Sequence, residues 1–452
     1  MRPNVIFFFT DQQRWDTCGL HGNPLGLTPN FDRLATAGTH ARYAFTCQPV
    51  CGPARSCLQT GRYATATGCF RNRIPLPGDA RTLAHHFTAG GYATAYIGKW
   101  HLADGPRGPV APAGRGGYDY WLAANAPELV SDAYDCRVYD HEQREIRLHG
   151  HRIDALTDAA IRYITGRAHE KNPYFLFLSF LEPHHQNHRD DYPAPLGYAE
   201  RYTSRWSPPD LTALTGNAPQ SLGGYYGMVK RLDEAFGRLV DILHSTGQLD
   251  DTIIVFTSDH GSHFRTRNGQ DKCSPHDASI RVPLAFHGGP FRGGGDLRQL
   301  ISLIDLPPTL LDAAGLPVPP EMQGRSVLPL LRGGAQTATA WPDDVLVQIS
   351  ETEVGRAIRT ARWKYGVVAR GVDAVEHAWA EEFDEACLYD LFADPYELTN
   401  LIGYESHRPL ADRLRQRLLA RMAAAGEKLP RITLAPARPS GQRRVSAAEI
   451  EQ

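Results

Sequence analysis

The fold is decided by the stretch from Asn4 to Gln12, which reads NVIFFFTDQ. Its five consecutive apolar residues are too few for the core of a signal peptide and far too few to cross a bilayer. A short continuous apolar run is typical of a strand that is covered on both faces of a parallel sheet. The stretch therefore predicts a buried first strand, with Asp11 and Gln12 at its carboxyl end.

Similar strand-like runs return through the first three quarters of the chain, and helix-like segments separate them. The predicted strands are Asn4–Thr10, Ala93–Gly98, Tyr174–Leu181, Thr252–Ser258 and Val282–His287. The predicted helices include Asn30–Ala37, Thr82–Ala89, Ala155–Ala168, Tyr225–Thr246 and Leu306–Ala314. This alternation favours βαβ units. We therefore predict an α/β fold, with a doubly wound, mostly parallel sheet sandwiched by helices.

The composition shifts to Gly, Ala and Thr around residues 333–342, which indicates a linker. Beyond it, an antiparallel meander is predicted at Asp344–Ser350, Arg356–Thr360 and Trp363–Val368, and a helix at Pro409–Ala425. We therefore expect a large α/β domain at residues 1–337 and a smaller α+β subdomain at 338–452. Residues 106–117 and 186–217 are predicted to be long loops, and the last 25 or so residues to be loosely held unless they pack on the body.

Charge and cysteine content exclude several classes of protein. Lys and Arg number 48 against 50 Asp and Glu, a net charge of −2, which argues against a protein that coats nucleic acid by neutralising phosphates. No stretch approaches the ~18 apolar residues of a membrane span, so we expect neither a membrane nor a nucleic-acid partner. The eight cysteines are too sparse for a disulfide scaffold and form no CxxC pair. Without an export signal, a cytoplasmic protein with reduced thiols is expected.

Polar residues follow the predicted strands, at the edge where ligands gather in open α/β sheets. Asp11 and Gln12 follow the first strand, and Asp259 and His260 follow the fourth. Such residues often cap helices instead, but several strand ends with polar groups favour a binding site. Together they predict one divalent cation. The oxygen ligands suit Ca²⁺, our first expectation, or Mg²⁺, whereas His260 fits Mn²⁺ or Zn²⁺ better.

Cationic and proton-donating groups stand near the same strand ends. They are Arg55, Lys99, His101, His184 and Lys272. Singly, each is more often a solvated surface residue. Gathered around a metal, they indicate a tetrahedral oxyanion as substrate, namely a sulfate, phosphate or phosphonate.

The most specific stretch is Cys51–Arg62, which reads CGPARSCLQTGR. It resembles the signature of the type I sulfatases, Cys-x-Pro-x-Arg followed by Thr-Gly-Arg, in which the cysteine is converted to formylglycine. Further likenesses are Pro3–Gln12, Thr28–Ala35, Gly98–Leu102, Ser258–Gly261, Arg281–Leu284 and Leu388–Leu401. The resemblance covers most of the chain and implies an alkaline-phosphatase-like fold and a sulfuric ester hydrolase.

The resemblance also implies roles for individual residues. A formylglycine-generating enzyme would convert Cys51, and one hydroxyl of the hydrated aldehyde would attack sulfur. The metal ligands would be Asp11, Gln12, Asp259 and His260, together with the residue made from Cys51. Arg55 would orient the nucleophile, and Lys99, Lys272 and His184 would hold the sulfate. His184 or Lys272 would protonate the leaving alcohol, and His101 would act as the base that releases sulfate.

Two positions depart from the commonest sulfatase pattern. Gln12 stands where many members have a second Asp, and His260 where many have Asn. The same Asp-Gln and Asp-His pairs occur in phosphonate monoester hydrolases. A phosphonate monoester or phosphate diester hydrolase is therefore the alternative activity. A non-catalytic anion-binding protein and a two-metal phosphatase-like enzyme fit less well, since the signature centres on Cys51.

Residues close to these motifs are candidates for binding the leaving group. They are Asn72, Arg73, His185, His188, Arg189, His263, Arg265, Arg267 and His276. So many Arg and His side chains suit a polyhydroxylated or acidic alcohol, and few apolar residues accompany them. We therefore expect a small sulfated substrate, with a sulfated sugar as the natural hypothesis. The sequence leaves the oligomeric state open.

Overall fold

A computed structural model describes residues 2–333, 340–439 and 445–451. The predicted boundary between residues 337 and 338 lies outside these ranges. Within them, no helix combines the length and the apolar character that a membrane crossing requires. All eight cysteines are buried and free.

A large sheet forms the centre of the molecule. Its strands are β1 (Asn4–Asp11), β2 (Thr39–Phe45), β3 (Ala93–Lys99), β4 (Tyr120–Ala124), β5 (Cys136–Tyr139), β6 (Glu145–Leu148), β7 (Tyr174–Pro183), β8 (Thr252–Ser258), β9 (Arg281–Val282), β10 (Leu284–His287) and β11 (Asp296–Ser302). The order across the sheet is β11-β2-β10-β8-β1-β7-β3-β4-β5-β6, and β9 pairs with β2 off this path. The first predicted strand thus lies in the middle of the sheet.

The core of this sheet is parallel, as predicted. The five consecutive strands β8, β1, β7, β3 and β4 run parallel to one another. The last predicted strand differs, since β10 runs antiparallel to both β8 and β2. Hydrophobic periodicity carries no information about direction, so the sequence could not reveal this reversal. Strands β2, β4, β5, β6 and β11 were not predicted.

Helices cover both faces of the sheet. Their bounds are α1 (Pro29–Ala37), α2 (Cys51–Thr60), α3 (Ala64–Thr67), α4 (Leu83–Ala89), α5 (Pro127–Val130), α6 (Arg152–Gly166), α7 (Tyr198–Tyr202), α8 (Pro209–Ala213), α9 (Ala218–Ser245), α10 (Asp277–Ile280), α11 (Leu306–Ala313) and α12 (Leu328–Arg332). The predicted loop at 186–217 therefore contains the short helices α7 and α8. Helix α9 begins seven residues before its predicted start, with Pro219 in its first turn.

Alternate residues of β1 enter opposite cores, which explains its continuous apolar sequence. Ile6 and Phe8 belong to the core shared with α1, α6 and α9. Val5, Phe7 and Phe9 belong to the core on the other face, with side chains from α4 and α11. A strand covered on both faces needs apolar residues at every position. The predicted doubly wound α/β class is confirmed.

A second, separate sheet follows in the C-terminal part of the chain. Its strands are β12 (Asp344–Ile349), β13 (Val354–Thr360), β14 (Trp363–Ala369), β15 (Glu382–Asp390) and β16 (Arg431–Thr433), in that order. It is antiparallel except for the pair β15 and β16. Helix α13 (Arg408–Ala424) packs on this second sheet. The short helix α14 (Ala447–Ile450) also contacts it, since Nε1 of Trp363 on β14 donates to the carbonyl of Glu449. The described residues 445–451 of the tail therefore pack on the second sheet.

Candidate active site

Four neighbouring strands, β8, β1, β7 and β3, end at the same edge of the large sheet. Asp259, Asp11, His184 and Lys99 lie at or just beyond these four ends. The carboxyl ends of adjacent parallel strands must meet, so four polar groups distant in sequence become neighbours. All four are buried. The edge predicted from the sequence is therefore where the polar groups converge.

Cys51 lies at the first position of α2, a helix whose ten residues are all buried. The signature residues that follow shape this helix and its end. Thr60 donates from its hydroxyl to the carbonyl of Ser56 at 2.7 Å. Gly61 ends the helix in the left-handed region, at φ 69°, and a Cβ there would lie 2.8 Å from Cγ of Met322. Thr60 and Gly61 thus fix the helix that carries Cys51.

Donor atoms of Asp11, Cys51, Asp259 and His260 all lie within 4.8 Å of one another. Sγ of Cys51 is 3.2 Å from Nε2 of His260 and 3.4 Å from Oδ1 of Asp11. Nδ1 of His260 is 2.9 Å from the carbonyl of Gly261, so it is best assigned as the N–H donor. That tautomer leaves Nε2 as a ligand atom facing the carboxylates.

Gln12 completes this set of possible metal ligands. Its backbone has φ 68°, in the left-handed region, and its backbone N–H donates to Oδ1 of Asp259 at 3.0 Å. The hydroxyl of Tyr225 donates to the Gln12 carbonyl and accepts from the N–H of Arg14, both at 2.8 Å. These bonds hold Gln12 in an unfavourable backbone conformation.

The two aspartates respond differently to burial. Burial raises the pKa of Asp259 to about 7, and the negative charge of Asp11 adds to the shift. Burial alone would also raise the pKa of Asp11, but Lys99, His184 and Arg55 outweigh it and hold that pKa well below its usual value. Two carboxylates this close repel each other unless a cation lies between them. The donor set of two carboxylates, an amide and an imidazole fits a divalent cation.

Three buried cationic side chains lie around Asp11 and Cys51. Arg55 donates to Oδ2 of Asp11 at 2.9 Å and lies 3.3 Å from Oδ2 of Asp259. Nζ of Lys99 lies 2.8 Å from Oδ2 of Asp11. Nζ of Lys272 donates to Sγ of Cys51 at 2.9 Å and lies 3.0 Å from Nε2 of His184. Burial first, and then the charge of Asp11, raises the pKa of the unmodified Cys51 thiol to about 12.

Glu128 is a site residue that the sequence did not reveal. Its Oε1 lies 3.2 Å from Nζ of Lys99 and 3.6 Å from Nε2 of His101. Burial, with the Lys99 charge, lowers the pKa of His101 to about 3, so this imidazole is neutral near pH 7. Glu128 follows β4, and it was missed because that strand was not predicted. Had the strand been predicted, a polar residue just beyond its carboxyl end would have indicated a site residue.

A cleft of about 170 Å³ opens beside Cys51. The predicted residues His101, His184 and Lys272 line it, as do three of the proposed leaving-group residues, Asn72, Arg73 and His185. Its other lining residues were not predicted. They are Ala103, Pro106, Asn125, Ala126, Glu128, Leu129, Asn187, Gln270, Asp271 and Glu351.

The remaining leaving-group candidates contact other parts of the protein. Arg265 pairs with Asp190, and Arg189 pairs with Asp132 and Asp191. His188 is 3.8 Å from Asp132. Three more bond to backbone or to the second sheet: Nε2 of His263 lies 3.0 Å from the Lys272 carbonyl, Arg267 donates to the Tyr396 carbonyl, and Nε2 of His276 lies 3.2 Å from the Tyr389 hydroxyl.

The fold and the site together define a hydrolase of tetrahedral oxyanion esters. The sulfatase family profile matches residues 3–316. A profile described as N-sulphoglucosamine sulphohydrolase, C-terminal, matches residues 268–424. The chain belongs to the sulfatase family, in the alkaline-phosphatase-like superfamily. It is a sulfuric ester hydrolase, and the resemblance seen in the signature is confirmed.

Individual relatives agree over nearly the whole chain. An ulvan-active sulfatase of Formosa agariphila is 29% identical over 447 residues, with 94% of this chain and 82% of the relative covered. The structure of BT4656 in complex with its substrate, D-glucosamine-2-N,6-O-disulfate, has a TM-score of 0.75 at 25% identity, with coverage of 94% and 98%. The phosphonate monoester hydrolase of Agrobacterium radiobacter has a TM-score of 0.73 at 23% identity, with coverage of 94% and 96%. The last likeness shows a shared fold.

Proposed function

We propose that this protein hydrolyses sulfate monoesters of carbohydrates through a formylglycine made from Cys51. The observation that carries the proposal is the position of Cys51, at the start of a buried helix and within 3.4 Å of Asp11, His260 and Lys272. A side chain there reaches metal ligands and a proton donor at once. A formylglycine-generating enzyme would be the maturation partner.

One divalent cation would be held by Asp11, Gln12, Asp259 and His260, with the residue made from Cys51. Ca²⁺ is our first choice, because oxygen atoms form most of this set, and Mg²⁺ or Mn²⁺ are alternatives. When bound, the cation would supply Lewis-acid polarisation of the sulfuryl oxygens and favour a deprotonated nucleophile.

The charge balance of the chain's own residues supports an anionic substrate. Asp11, Asp259 and Glu128 oppose Arg55, Lys99 and Lys272, so the buried carboxylates and cations are equal in number. Adding a divalent cation would leave a net positive pocket. A sulfate monoester carries one negative charge, so its binding would lower the positive charge of that pocket from +2 to +1.

Proton transfer would be shared by two groups on opposite sides of Cys51. Lys272, bonded to His184, would supply the proton to the leaving alcohol as the S–O bond to it breaks. The neutral His101 would take the proton from the second hydroxyl of the hydrated formylglycine. The bond from carbon to the transferred sulfate would then break, releasing sulfate and restoring the aldehyde. A simple thiol or alcohol lacks that second hydroxyl and would stay sulfated.

A carbohydrate leaving group is supported by the cleft and by the relatives. Amide side chains of Asn72, Asn125, Asn187 and Gln270 line the cleft and suit hydroxyl groups. The structurally similar BT4656 acts on a sulfated glucosamine. A phosphonate monoester or phosphate diester hydrolase is the second candidate, supported by Gln12 and His260 and by the shared fold with the Agrobacterium enzyme.

Parallel rates test the proposal. Sulfate release from sulfated monosaccharides and from 4-nitrophenyl sulfate would be compared with hydrolysis of phenyl phosphonate and diester substrates, using protein whose Cys51 peptide has the formylglycine mass. We expect the sulfate esters to react faster. Faster phosphonate hydrolysis would favour the second candidate. Full activity of protein with an unmodified thiol would refute the formylglycine, and turnover by Cys51→Ala would refute its role as nucleophile.

A further inference from the structure

The cleft is lined by groups of both charges. Lys272 contributes a cation beside Cys51. Part of the remaining lining consists of residues that we call the outer wall, namely Asn72, Arg73, Asn125, Asn187, Gln270, Asp271 and Glu351. The outer wall carries two carboxylates against one arginine, so its formal charge is −1. Burial lowers the pKa of the adjacent His185, which therefore adds little positive charge.

Three of the four arginines that the sequence placed near the leaving group contact other groups of the protein. Arg189 pairs with Asp132 and Asp191, whereas Arg265 pairs with Asp190 and lies 3.5 Å from Asp271 of the outer wall. Arg267 donates to the backbone of Tyr396, 129 residues along the chain. Of the four, Arg73 lines the cleft, so the outer wall contains fewer cations than the sequence suggests.

Glu351 is the outer-wall carboxylate with the fewest charged neighbours. Asp271 lies 3.5 Å from Nε of Arg265 and 3.6 Å from Nδ1 of His185. Glu351 forms no ion pair within 4.0 Å among the residues that the structure describes. Its Oε1 accepts from the backbone N–H of Asn72 at 2.7 Å. The negative charge of the Glu351 carboxylate is therefore not neutralised, within the described ranges, by an ion-pair partner beside the cleft.

The backbone holds Glu351 firmly in the turn between β12 and β13. Its φ is 67°, a left-handed conformation that is unfavourable for a residue with a Cβ. Its two neighbours are tied to the active-site body: Ser350 accepts from the Gln48 amide at 2.7 Å, and Thr352 donates to the Cys273 carbonyl at 2.8 Å. A strained, anchored carboxylate beside a cleft points to a role in binding.

We infer that the outer wall selects a leaving alcohol that offers hydrogen-bond donors and carries no second anionic group, with Glu351 as the specificity-determining residue. The preferred substrate is a sugar with one sulfate, neutral or bearing an ammonium group. Glu351 accepts a hydrogen bond from a hydroxyl or ammonium of the sugar and repels a second sulfate or a carboxylate. This inference rests on the proposed sulfatase function and goes beyond it in naming the charge of the alcohol.

Matched substrate pairs test the inference. Monosulfated galactose, glucose and their 2-amino and N-acetyl forms, each with sulfate at every available position, are screened together with their disulfated counterparts. We expect kcat/KM to be at least about tenfold higher for the preferred monosulfated sugar than for its disulfated counterpart. Glu351→Gln should reduce that ratio at least about threefold, and Glu351→Lys should reduce it further. Glu353→Gln, two residues along the same turn and outside the cleft lining, should leave the ratio unchanged.

Three outcomes overturn the inference. Equal or faster hydrolysis of the disulfated sugars contradicts it, as does a ratio that Glu351→Gln and Glu351→Lys leave unchanged while both variants keep the wild-type Tm. If formylglycine-bearing protein hydrolyses neither these sugars nor 4-nitrophenyl sulfate, the proposed function itself fails. Turnover of 4-nitrophenyl sulfate without a charge preference among sugars removes only the inference about the outer wall.

Discussion

Two of the buried ionic clusters in this protein differ in how fully their members are paired. The catalytic cluster consists of Asp11, Arg55, Lys99, Asp259 and Lys272. The intersheet cluster consists of Asp277 on α10, Arg359 and Lys364 on the second sheet, and Glu397. In the intersheet cluster Lys364 contacts both Asp277 and Glu397, and Arg359 donates twice to Asp277.

The catalytic cluster has polar atoms that remain available beside a cleft. Nε of Arg55 is buried without a hydrogen-bond partner among the described residues, as are Oε2 of Glu128 and Nδ1 of His101 next to the cluster. Burial and the charge of Asp11 raise the pKa of the Asp259 carboxyl to about 7. The intersheet cluster has no such unpartnered side-chain atom in the described part of the chain. The intersheet cluster is fully paired, as expected of a structural contact. The catalytic cluster keeps unpaired polar atoms, as expected of a site that binds a cation and an anionic substrate.

The largest expected effect comes from breaking the catalytic cluster at Asp11. Asp11→Asn removes the carboxylate that lies nearest Lys99, Arg55 and Cys51, so turnover should fall about 10²–10³-fold. In the wild-type protein a divalent cation at 100 times its Kd should raise the free energy of unfolding by about 2.7 kcal/mol, and the variant should lose most of that gain. Sulfate release and Tm with and without Ca²⁺ measure both effects. An undiminished Ca²⁺-dependent Tm shift would contradict the metal site.

A smaller effect is expected at Glu128, at the edge of the same cluster. Glu128→Gln keeps the shape of the side chain but removes the charge that faces Lys99 and His101, so kcat should fall about tenfold. Because the Glu128 charge raises the pKa of His101, its removal should lower that pKa further, and the acidic limb of the pH–kcat profile should move to lower pH. A fall in kcat with an unchanged pH profile would indicate a purely structural role for Glu128.

A residue could be predicted from the sequence only where a short segment identifies it. The members of the catalytic cluster could be predicted, because Asp11, Lys99 and Asp259 follow strands of clear apolar sequence and the Cys51 signature is specific. The α/β fold class was accessible for the same reason. These predictions succeed where one short segment carries the whole signal.

Contacts between distant segments left no local signal. Glu351 reaches Asn72, 279 residues away, from a turn of the second sheet. Arg265 was predicted to bind the leaving group, yet its partner Asp190 lies 75 residues earlier. The sequence shows which residues are charged, but tertiary structure decides how they pair. The sign of the net charge on the outer wall could therefore not be predicted.

Breaking the intersheet cluster should reduce stability and leave the chemistry largely intact. Lys364→Met leaves Asp277 and Glu397 buried beside each other with one cation fewer, which should cost about 3–5 kcal/mol of the free energy of unfolding. The Ca²⁺-dependent Tm shift and kcat of the folded fraction should stay within about threefold of wild type. Denaturant titration and sulfate release separate the two effects. A kcat loss as large as that of Asp11→Asn would show that the two clusters act as one.

The smallest effect concerns the pH dependence of the intersheet cluster. Burial alone would raise the pKa of Asp277, but Arg359 and Lys364 outweigh it and hold that pKa well below the usual 3.8. A carboxyl whose pKa is depressed in the folded state stabilises the fold above its unfolded pKa, and this contribution is lost as the pH falls through the folded value. Between the two pKa values the loss is about 1.4 kcal/mol per pH unit. The stability difference between wild type and Asp277→Asn should therefore be constant from pH 7 to pH 5 and shrink below about pH 4. Unfolding measured at each pH checks this, and a difference that persists unchanged at pH 3 would mean that Asp277 contributes through hydrogen bonds to Arg359 and Lys364 that survive its protonation.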